Sequence, residues 1–190
     1  MTTARLRHCC IVSLFFTILL GGVKPVAAAK LDLFFGGFSF SAETDSASGS
    51  ASGVGAYLIN YSLPIFDNLD VGLGYSLILA DTFGGDSVFG LDVQAAYYPL
   101  TPGSEIKIVS GNTKATVGHI WKPYLSMNYS ARQFQSVVTQ YNGFGVGVGV
   151  ERKLEAKYTL KCHLRYSAMA GPDSSTATEI TFVSGLSFSF

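Results

Sequence analysis

Charged residues and long hydrophobic runs are both scarce in this sequence. Only 14% of its 190 residues are Asp, Glu, Lys or Arg, against about a quarter in a typical soluble domain. Beyond the first 29 residues, no stretch is continuously apolar over the ~20 residues that a transmembrane helix needs. The scarcity of charge is unusual for a soluble domain, and a helical membrane span is excluded.

The first 29 residues have the layout of a secretory signal peptide. Arg5 and Arg7 precede an apolar core of residues 9–23, and small residues lead up to Ala29. The core, roughly 15 residues long, is short for a membrane anchor. We predict cleavage after Ala29, export through the inner membrane and one mature domain of residues 30–190.

Cysteine and basic residues are few once the leader is removed. Cys9 and Cys10 lie in the leader, which leaves Cys162, so a disulfide framework and a cysteine metal cluster are excluded within one chain. The full sequence has 13 basic and 13 acidic residues, and Arg5, Arg7 and Lys24 belong to the leader. The mature chain is mildly acidic, which argues against nucleic-acid binding.

The mature chain is rich instead in glycine, aromatic residues and alternating patterns. The sequence holds 21 Gly, 14 Phe and 10 Tyr. Eight segments of roughly 10 residues alternate apolar and polar side chains with period two, which predicts amphipathic β-strands. The predicted strands cover residues 31–42, 54–63, 69–80, 89–98, 121–133, 143–151, 158–168 and 179–190.

The sizes of the residues predict which face points outward. The polar faces carry residues small enough for a narrow lumen, such as Gly72, Gly74 and the alternating glycines of residues 143–149. We therefore expect the apolar faces, including Phe34 and Phe38, to point outward, although a soluble lipocalin-like binder with an enclosed apolar face is the alternative. Aromatic residues near the strand ends predict two girdles, Trp121, Tyr97, Tyr158 and Phe188 at one rim and Phe40, Phe89, Phe144 and Tyr166 at the other.

With the polar faces inward, charged side chains gather in the lumen. Unpaired charges there would be costly, so we predict a network of paired charges that plugs the barrel. A narrow channel for ions or small solutes along the same charges is the alternative. The predicted network is Asp70, Asp92, Lys122, Arg132, Glu151, Lys161, His163, Arg165 and Glu179.

The chain ends on an amphipathic strand in which Gly185 is followed by Phe188 and a terminal Phe190. This ending resembles the C-terminal signal of bacterial outer-membrane β-barrels. Together with the leader, the phrase at residues 122–125 and the glycine-alternating strand, it resembles the small barrels of the OmpA and OmpX type. The resemblance implies an all-β, eight-stranded, antiparallel up-and-down transmembrane barrel in the outer membrane of a Gram-negative cell.

The same resemblance implies partners. The barrel assembly machinery would recognise the last strand through Gly185, Phe188 and Phe190. The folded protein would contact outer-membrane lipid and lipopolysaccharide, and we expect a monomer. Four predicted external loops, rich in Ser and Gly and free of Lys and Arg, are candidates for a surface ligand: residues 43–53, 81–87, 133–142 and 170–178.

One segment departs from the family pattern. About 20 residues, 101–120, stand where a short periplasmic turn is expected. Two alternating pieces flank Ser110-Gly111-Asn112, which predicts a periplasmic hairpin or strand extension. A ten-stranded barrel is the alternative, which the shortness of both pieces disfavours.

No residues form a convincing catalytic or cofactor site. Lipid-modifying barrel enzymes need a serine, a histidine and an acidic residue within reach of one another. The histidines of the mature chain are His119, in the long turn, and His163, in mid-strand beside Arg165. We predict a structural or surface-interaction role, without enzymatic activity, metal or cofactor.

Overall fold

The computed structural model describes residues 29–43, 48–79, 87–100, 106–110, 113–117, 121–134, 139–155 and 157–190, with side chains in all ranges except 106–110 and 113–117. Of the predicted signal peptide, only Ala29 is among them. A search of the described residues finds no helix with the length and apolar character needed to cross a membrane.

Ten β-strands make up the described chain, and eight of them close a barrel. The barrel order is β1, β2, β3, β4, β7, β8, β9, β10 and back to β1, with every neighbouring pair antiparallel. The predicted eight-stranded up-and-down barrel is confirmed. The strands are β1 Lys30–Glu43, β2 Ser48–Phe66, β3 Leu69–Leu79, β4 Ser87–Tyr97, β5 Ile106–Ser110, β6 Thr113–Val117, β7 Trp121–Phe134, β8 Gln140–Lys153, β9 Tyr158–Ala170 and β10 Thr176–Ser189.

The two ends of the barrel differ. Because successive strands are antiparallel, β1 begins and β10 ends at the same end, where Lys30 pairs with Ser189. We call this the terminal end and the opposite one the loop end. Strands β5 and β6 pair only with each other among the described strands, as a hairpin that joins β4 to β7 at the terminal end. The predicted hairpin is confirmed and the ten-stranded alternative is wrong, while the periplasmic location of the hairpin stays a prediction.

The predicted orientation of the two faces is correct for seven strands. On β3, for example, Asp70 and Ser76 are buried in the lumen, whereas Leu73 and Tyr75 are exposed on the outside. Glycine fills the inward face of β8 because the lumen is narrow. A Cβ at Gly147 would collide with the side chains of His163 and Ser126.

The prediction for β1 is wrong, because Phe34, Phe38 and Phe40 point into the lumen. They are 8%, 5% and 2% exposed, while Leu33 and Phe35, on either side of Phe34, face outward. The first half of this strand is apolar on both faces, and the alternation of Phe38 and Phe40 with Ser39 and Ser41 favours the wrong orientation. Phe40 therefore does not belong to the aromatic girdle in which it was predicted.

The inward phenylalanines belong to an apolar core in the lumen. The core occupies the loop end, where Phe40 packs edge-on against Phe134 and Tyr141 at ring-centroid distances of 5.4 and 6.0 Å. It extends along β1 and β2 toward mid-barrel. Its buried members are Phe34, Phe38, Phe40, Ala51, Ala56, Leu58, Ile78, Val88, Tyr141, Met169, Ala177 and Val183.

The strands also reach further toward the loop end than predicted. Strand β2 begins at Ser48, inside a predicted flexible loop, and the other predicted loops are likewise shortened by β4, β7, β8, β9 and β10. Near the loop end, outward residues of β1 and β2 are hydroxylic, with Ser39, Ser41 and Ser50 exposed while Phe40 is buried. A polar exterior around an apolar interior is typical of a sheet surrounded by water.

Below this extension, the outer surface is an apolar band. Its limits lie eight residues apart on three strands: Trp121 to Tyr129, Tyr158 to Tyr166, and Ile180 to Phe188. At a rise of ~3.3 Å per residue and a tilt of about 40°, this spans roughly 20 Å along the axis, close to the ~25 Å band of membrane barrels.

The orientation of β1 is testable by mutation. Phe40→Ala should lower the free energy of unfolding by about 3–5 kcal/mol, because it leaves a cavity in a closed core. Ser41→Ala, on the outward face of the same strand, should change it by no more than about 0.5 kcal/mol. Urea titrations in detergent measure both, and a loss below about 1 kcal/mol for Phe40→Ala would restore the outward orientation.

Candidate functional site

The lumen holds an ion cluster at mid-barrel, built from Asp92 of β4, Arg132 of β7, Arg165 of β9 and Glu179 of β10. Arg132 binds Glu179 with two hydrogen bonds, Nε to Oε2 at 2.6 Å and Nη2 to Oε1 at 3.0 Å. Arg165 Nη2 donates to the same Oε1 at 2.6 Å. All four side chains are at most 4% exposed.

Asp92 completes the charge balance of this cluster. Its Oδ1 lies 3.0 Å from Arg132 Nη2 and 3.3 Å from Arg165 Nη1. Ser130 Oγ donates to the same oxygen at 2.5 Å. Two guanidinium groups therefore face two carboxylates, and this pairing offsets the large cost of removing each charge from water.

A second charged cluster lies nearer the terminal end. Lys161 Nζ is 3.1 Å from Asp32 and 3.8 Å from Glu151. Lys30 Nζ donates to Asp70 Oδ2 at 2.6 Å. The charged residues predicted for one network thus form two groups, and Lys30 and Asp32 complete the second of them.

Two tyrosines cover this second cluster at the mouth of the barrel. Tyr98 donates from its hydroxyl to Glu151 Oε2 at 3.2 Å, and its ring lies under the Lys30 ammonium at 5.1 Å. Burial, and secondarily the Glu151 carboxylate, raise the pKa of the Tyr98 hydroxyl far above its usual range. Tyr98 therefore keeps the proton that it donates. Tyr124 packs against Tyr98 at a centroid distance of 5.4 Å.

His163 lies between the two charged clusters. Its Nε2 shares a hydrogen bond of 2.9 Å with Ser126 Oγ, and its ring packs against Tyr124 and Phe34. The structure thus brings Ser126 to His163. The strand pattern did not reveal this contact, because Ser126 lies on β7 and His163 on β9. Both side chains are at most 4% exposed, so a substrate has no access to this pair in the closed barrel.

The remaining predicted residue, Lys122, lies at the mouth. It is half-buried, pairs in register with Glu151 and lines an open pocket of about 330 Å³ with Lys30 and Asp70. Further inside, a cavity of about 10 Å³ is lined by Asp32, Asn60 and Lys161 among others. That volume is about the minimum for one water molecule.

The polar lumen is therefore closed on both sides of the ion cluster. Toward the loop end lies the apolar core, and toward the terminal end the lumen narrows to the 10 Å³ cavity before it opens at the mouth. Among the described residues, no group of three or more His, Cys, Asp or Glu side chains is placed to hold a metal ion.

Asp32 and Lys30 were missed by the sequence analysis, although a signal for Asp32 was present. It shares its face of β1 with Phe34 and Phe38, so an outward orientation would have placed a carboxylate against the apolar exterior. Because burying an unpaired carboxylate against apolar surroundings is costly, Asp32 favours the inward orientation of this face of β1. Lys30 is the first residue of the predicted mature chain and lies just before the first predicted strand, so the strand pattern assigns it to neither face.

The three residues of the predicted C-terminal signal lie in the seam between β10 and β1. A Cβ at Gly185 would collide with the backbone carbonyl of Leu33 across the seam. Phe188 packs edge-on against Tyr158 at 5.5 Å, and Phe190 is 71% exposed while its N–H donates to the Ala29 carbonyl at 3.0 Å. Gly185 thus has a packing role in addition to its predicted role in recognition.

Comparisons with solved structures identify the class of this fold. Neisserial surface protein A aligns with a TM-score of 0.54 and 13% identity over 85% of this chain and 97% of its own. The outer-membrane protein OprG of Pseudomonas aeruginosa aligns with a TM-score of 0.51 and 11% identity over 86% and 96%. No family model and no curated protein matches the chain. The chain has the fold of the small bacterial outer-membrane β-barrels, which confirms the resemblance found in the sequence.

The ion cluster predicts a specific loss of stability. Glu179→Gln should lower the free energy of unfolding by about 3–5 kcal/mol, because it leaves two buried guanidinium groups facing a single carboxylate. Glu43→Gln, an exposed carboxylate at the end of β1, is the matched control and should change it by about 0.5 kcal/mol or less. Unfolding titrations in detergent compare them, and equal stabilities would mean that the lumen is hydrated around Glu179.

Proposed function

We propose that this chain is an integral outer-membrane barrel whose lumen is closed and whose role is structural or surface-interactive. The observation that carries the proposal is a lumen blocked by a neutral ion cluster and an apolar core, inside an exterior with an apolar band. A barrel of this kind can act through its outer surface and loop end, but it offers no water-filled path along its axis.

The polarity of the exterior supports a placement in the membrane. The apolar band would span the hydrocarbon layer, with the terminal end in the periplasm and the hydroxyl-rich loop end outside the cell. The predicted signal peptide of residues 1–29 would direct export and leave a mature barrel of residues 30–190. In that position a monomer would contact outer-membrane lipid and lipopolysaccharide, and its loop end could bind a surface ligand.

The closed lumen disfavours both a channel and an enzyme. A narrow channel would have to open both the Arg132–Glu179 contact and the apolar core around Phe40. The Ser126–His163 pair is the arrangement most similar to a catalytic site among the described residues, but it is buried between two charged clusters. We therefore propose a protein that is neither a pore nor an enzyme.

We further propose that Phe190 is recognised by the barrel assembly machinery. The ring is 71% exposed at the end of the closing strand, where a partner could reach it. A merely lipid-facing phenylalanine would tolerate leucine, since apolar substitutions of similar size usually cost less than about 1.5 kcal/mol. The two roles therefore give different outcomes in cells.

We expect Phe190→Leu to lower the amount of folded barrel in the outer-membrane fraction several-fold, because assembly depends on recognition of the terminal ring. The purified variant should still fold in detergent, because the barrel contacts are unchanged. Heat-modifiable gel mobility of membrane fractions and of refolded protein measures both quantities.

The matched control is Phe182→Leu, which alters another outward ring of β10, 59% exposed and away from the chain end. It should assemble at the normal level. Equal amounts of both variants in the outer membrane would refute the recognition role, and absence of the unaltered protein from that fraction would refute the placement itself.

A further inference from the structure

The basic residues are distributed unevenly along the barrel axis. Outside the lumen, every described Lys and Arg lies at the terminal end, as do Lys107 and Lys114 of the hairpin. The loop end carries carboxylates instead, such as Glu43 and Asp173, and the four predicted loops contain no Lys or Arg. The positive charge of this barrel is therefore concentrated on one rim.

Part of that charge is carried by the end of β8 and the turn that follows it. Arg152 of β8 pairs in register with Trp121 of β7, and its guanidinium carbon lies 5.4 Å from the centre of the indole ring. Lys153, the last residue of β8, and Lys157, in the turn between β8 and β9, are exposed on the same rim beside one carboxylate, Glu155. We call Trp121, Arg152, Lys153 and Lys157 the Arg152 patch.

Backbone hydrogen bonds fix the turn that follows Arg152 and Lys153 and carries Lys157. The N–H groups of Leu154 and Glu155 donate to the Tyr158 carbonyl at 2.9 and 3.2 Å. The Lys157 carbonyl accepts from the Ser189 N–H at 3.0 Å, which ties the turn to the end of β10. The backbone that carries these three cations is therefore fixed on the rim.

The patch lies at the edge of the apolar band. Trp121 is 45% exposed and marks the limit of the band on β7, as Tyr158 and Phe188 do on β9 and β10. If the band spans the hydrocarbon layer, a guanidinium beside this limit lies at the depth of phospholipid phosphates. A guanidinium binds phosphate oxygens with two parallel hydrogen bonds, and each further cation strengthens the attraction of an anionic surface.

We propose that the Arg152 patch binds the headgroup of an anionic phospholipid in the periplasmic leaflet. This proposal rests on the membrane placement proposed above. Arg152 would hold the phosphate, Lys153 and Lys157 would supply the surrounding positive field, and Trp121 would orient the guanidinium and lie beside the glycerol region. A lipid is favoured over a soluble anion because the patch borders the apolar band.

Trp121 is the only tryptophan in the sequence, so the intrinsic tryptophan fluorescence reports on this patch alone. In phosphatidylcholine vesicles, we compare quenching of its fluorescence by phosphatidylglycerol and by phosphatidylcholine, each brominated on the acyl chains. The patch should favour phosphatidylglycerol by about five-fold in relative association constant, and salt should weaken the preference. Arg152→Gln should abolish most of it, and Lys157→Gln should reduce it.

Lys122→Gln is the matched control, because Lys122 follows Trp121 directly but lines the mouth of the lumen. It should keep the full preference. Equal quenching by both lipids in the unaltered protein, or an unchanged preference in Arg152→Gln, would overturn the proposal. So would displacement of the brominated phosphatidylglycerol by millimolar inorganic phosphate, which would identify a site for free anions. Quenching by neither lipid would instead refute the membrane placement on which the proposal rests.

Discussion

The narrow lumen is the constraint on which this structure depends. Eight strands enclose space for side chains and little else, so each inward residue must contact another inward residue. Glu179 shows the consequence most clearly, because it is fully buried and takes three hydrogen bonds from Arg132 and Arg165. These contacts join β7, β9 and β10, and Asp92 adds β4. The charges close the lumen and at the same time tie together strands that are distant in the sequence.

The outer surface follows a different constraint, which is the polarity of its surroundings. Its effect and that of the narrow lumen are both visible at the loop end. Over the apolar band, the outer surface carries apolar side chains, while the lumen holds the charged residues together with inward rings such as Phe34 and Tyr124. Above it, Ser39 and Ser41 face outward while Phe40 faces inward. The outer surface therefore changes from apolar to polar toward the loop end, which supports the proposed placement, in which the wall passes from lipid into water there.

Local alternation was enough to predict most of the fold. The strands with one polar and one apolar face, such as β3 with Asp70 and Ser76 inward, were predicted with the correct orientation. Strand β1 was not, because Phe38 and Phe40 alternate with serines, which favours an outward orientation for the rings, and only Asp32 indicates the opposite one. The loop ends were predicted too long because Ser, Ala and Gly around residues 48–53 are typical of flexible segments, yet pairing with β1 makes them a strand.

The sequence was enough to predict most of the charged residues that face the lumen, but not which of them contact one another. Period-two alternation placed Arg132, Arg165 and Glu179 on inward faces. Their grouping depends on the stagger of strands around the barrel, which a single sequence does not specify. For the same reason Ser126 was not linked to His163, and the charges were expected to form one network although the structure separates them into two.

The central claim is that this lumen is closed, and planar-bilayer recordings test it most directly. Purified protein, with insertion verified by protease protection of the barrel, should give no stable single-channel steps. Arg132→Ala should remain silent as well, because the apolar core around Phe40 still blocks the loop end. Stable steps from the unaltered protein, lost on Arg132→Ala, would contradict the account and identify the charged residues as the lining of a pore.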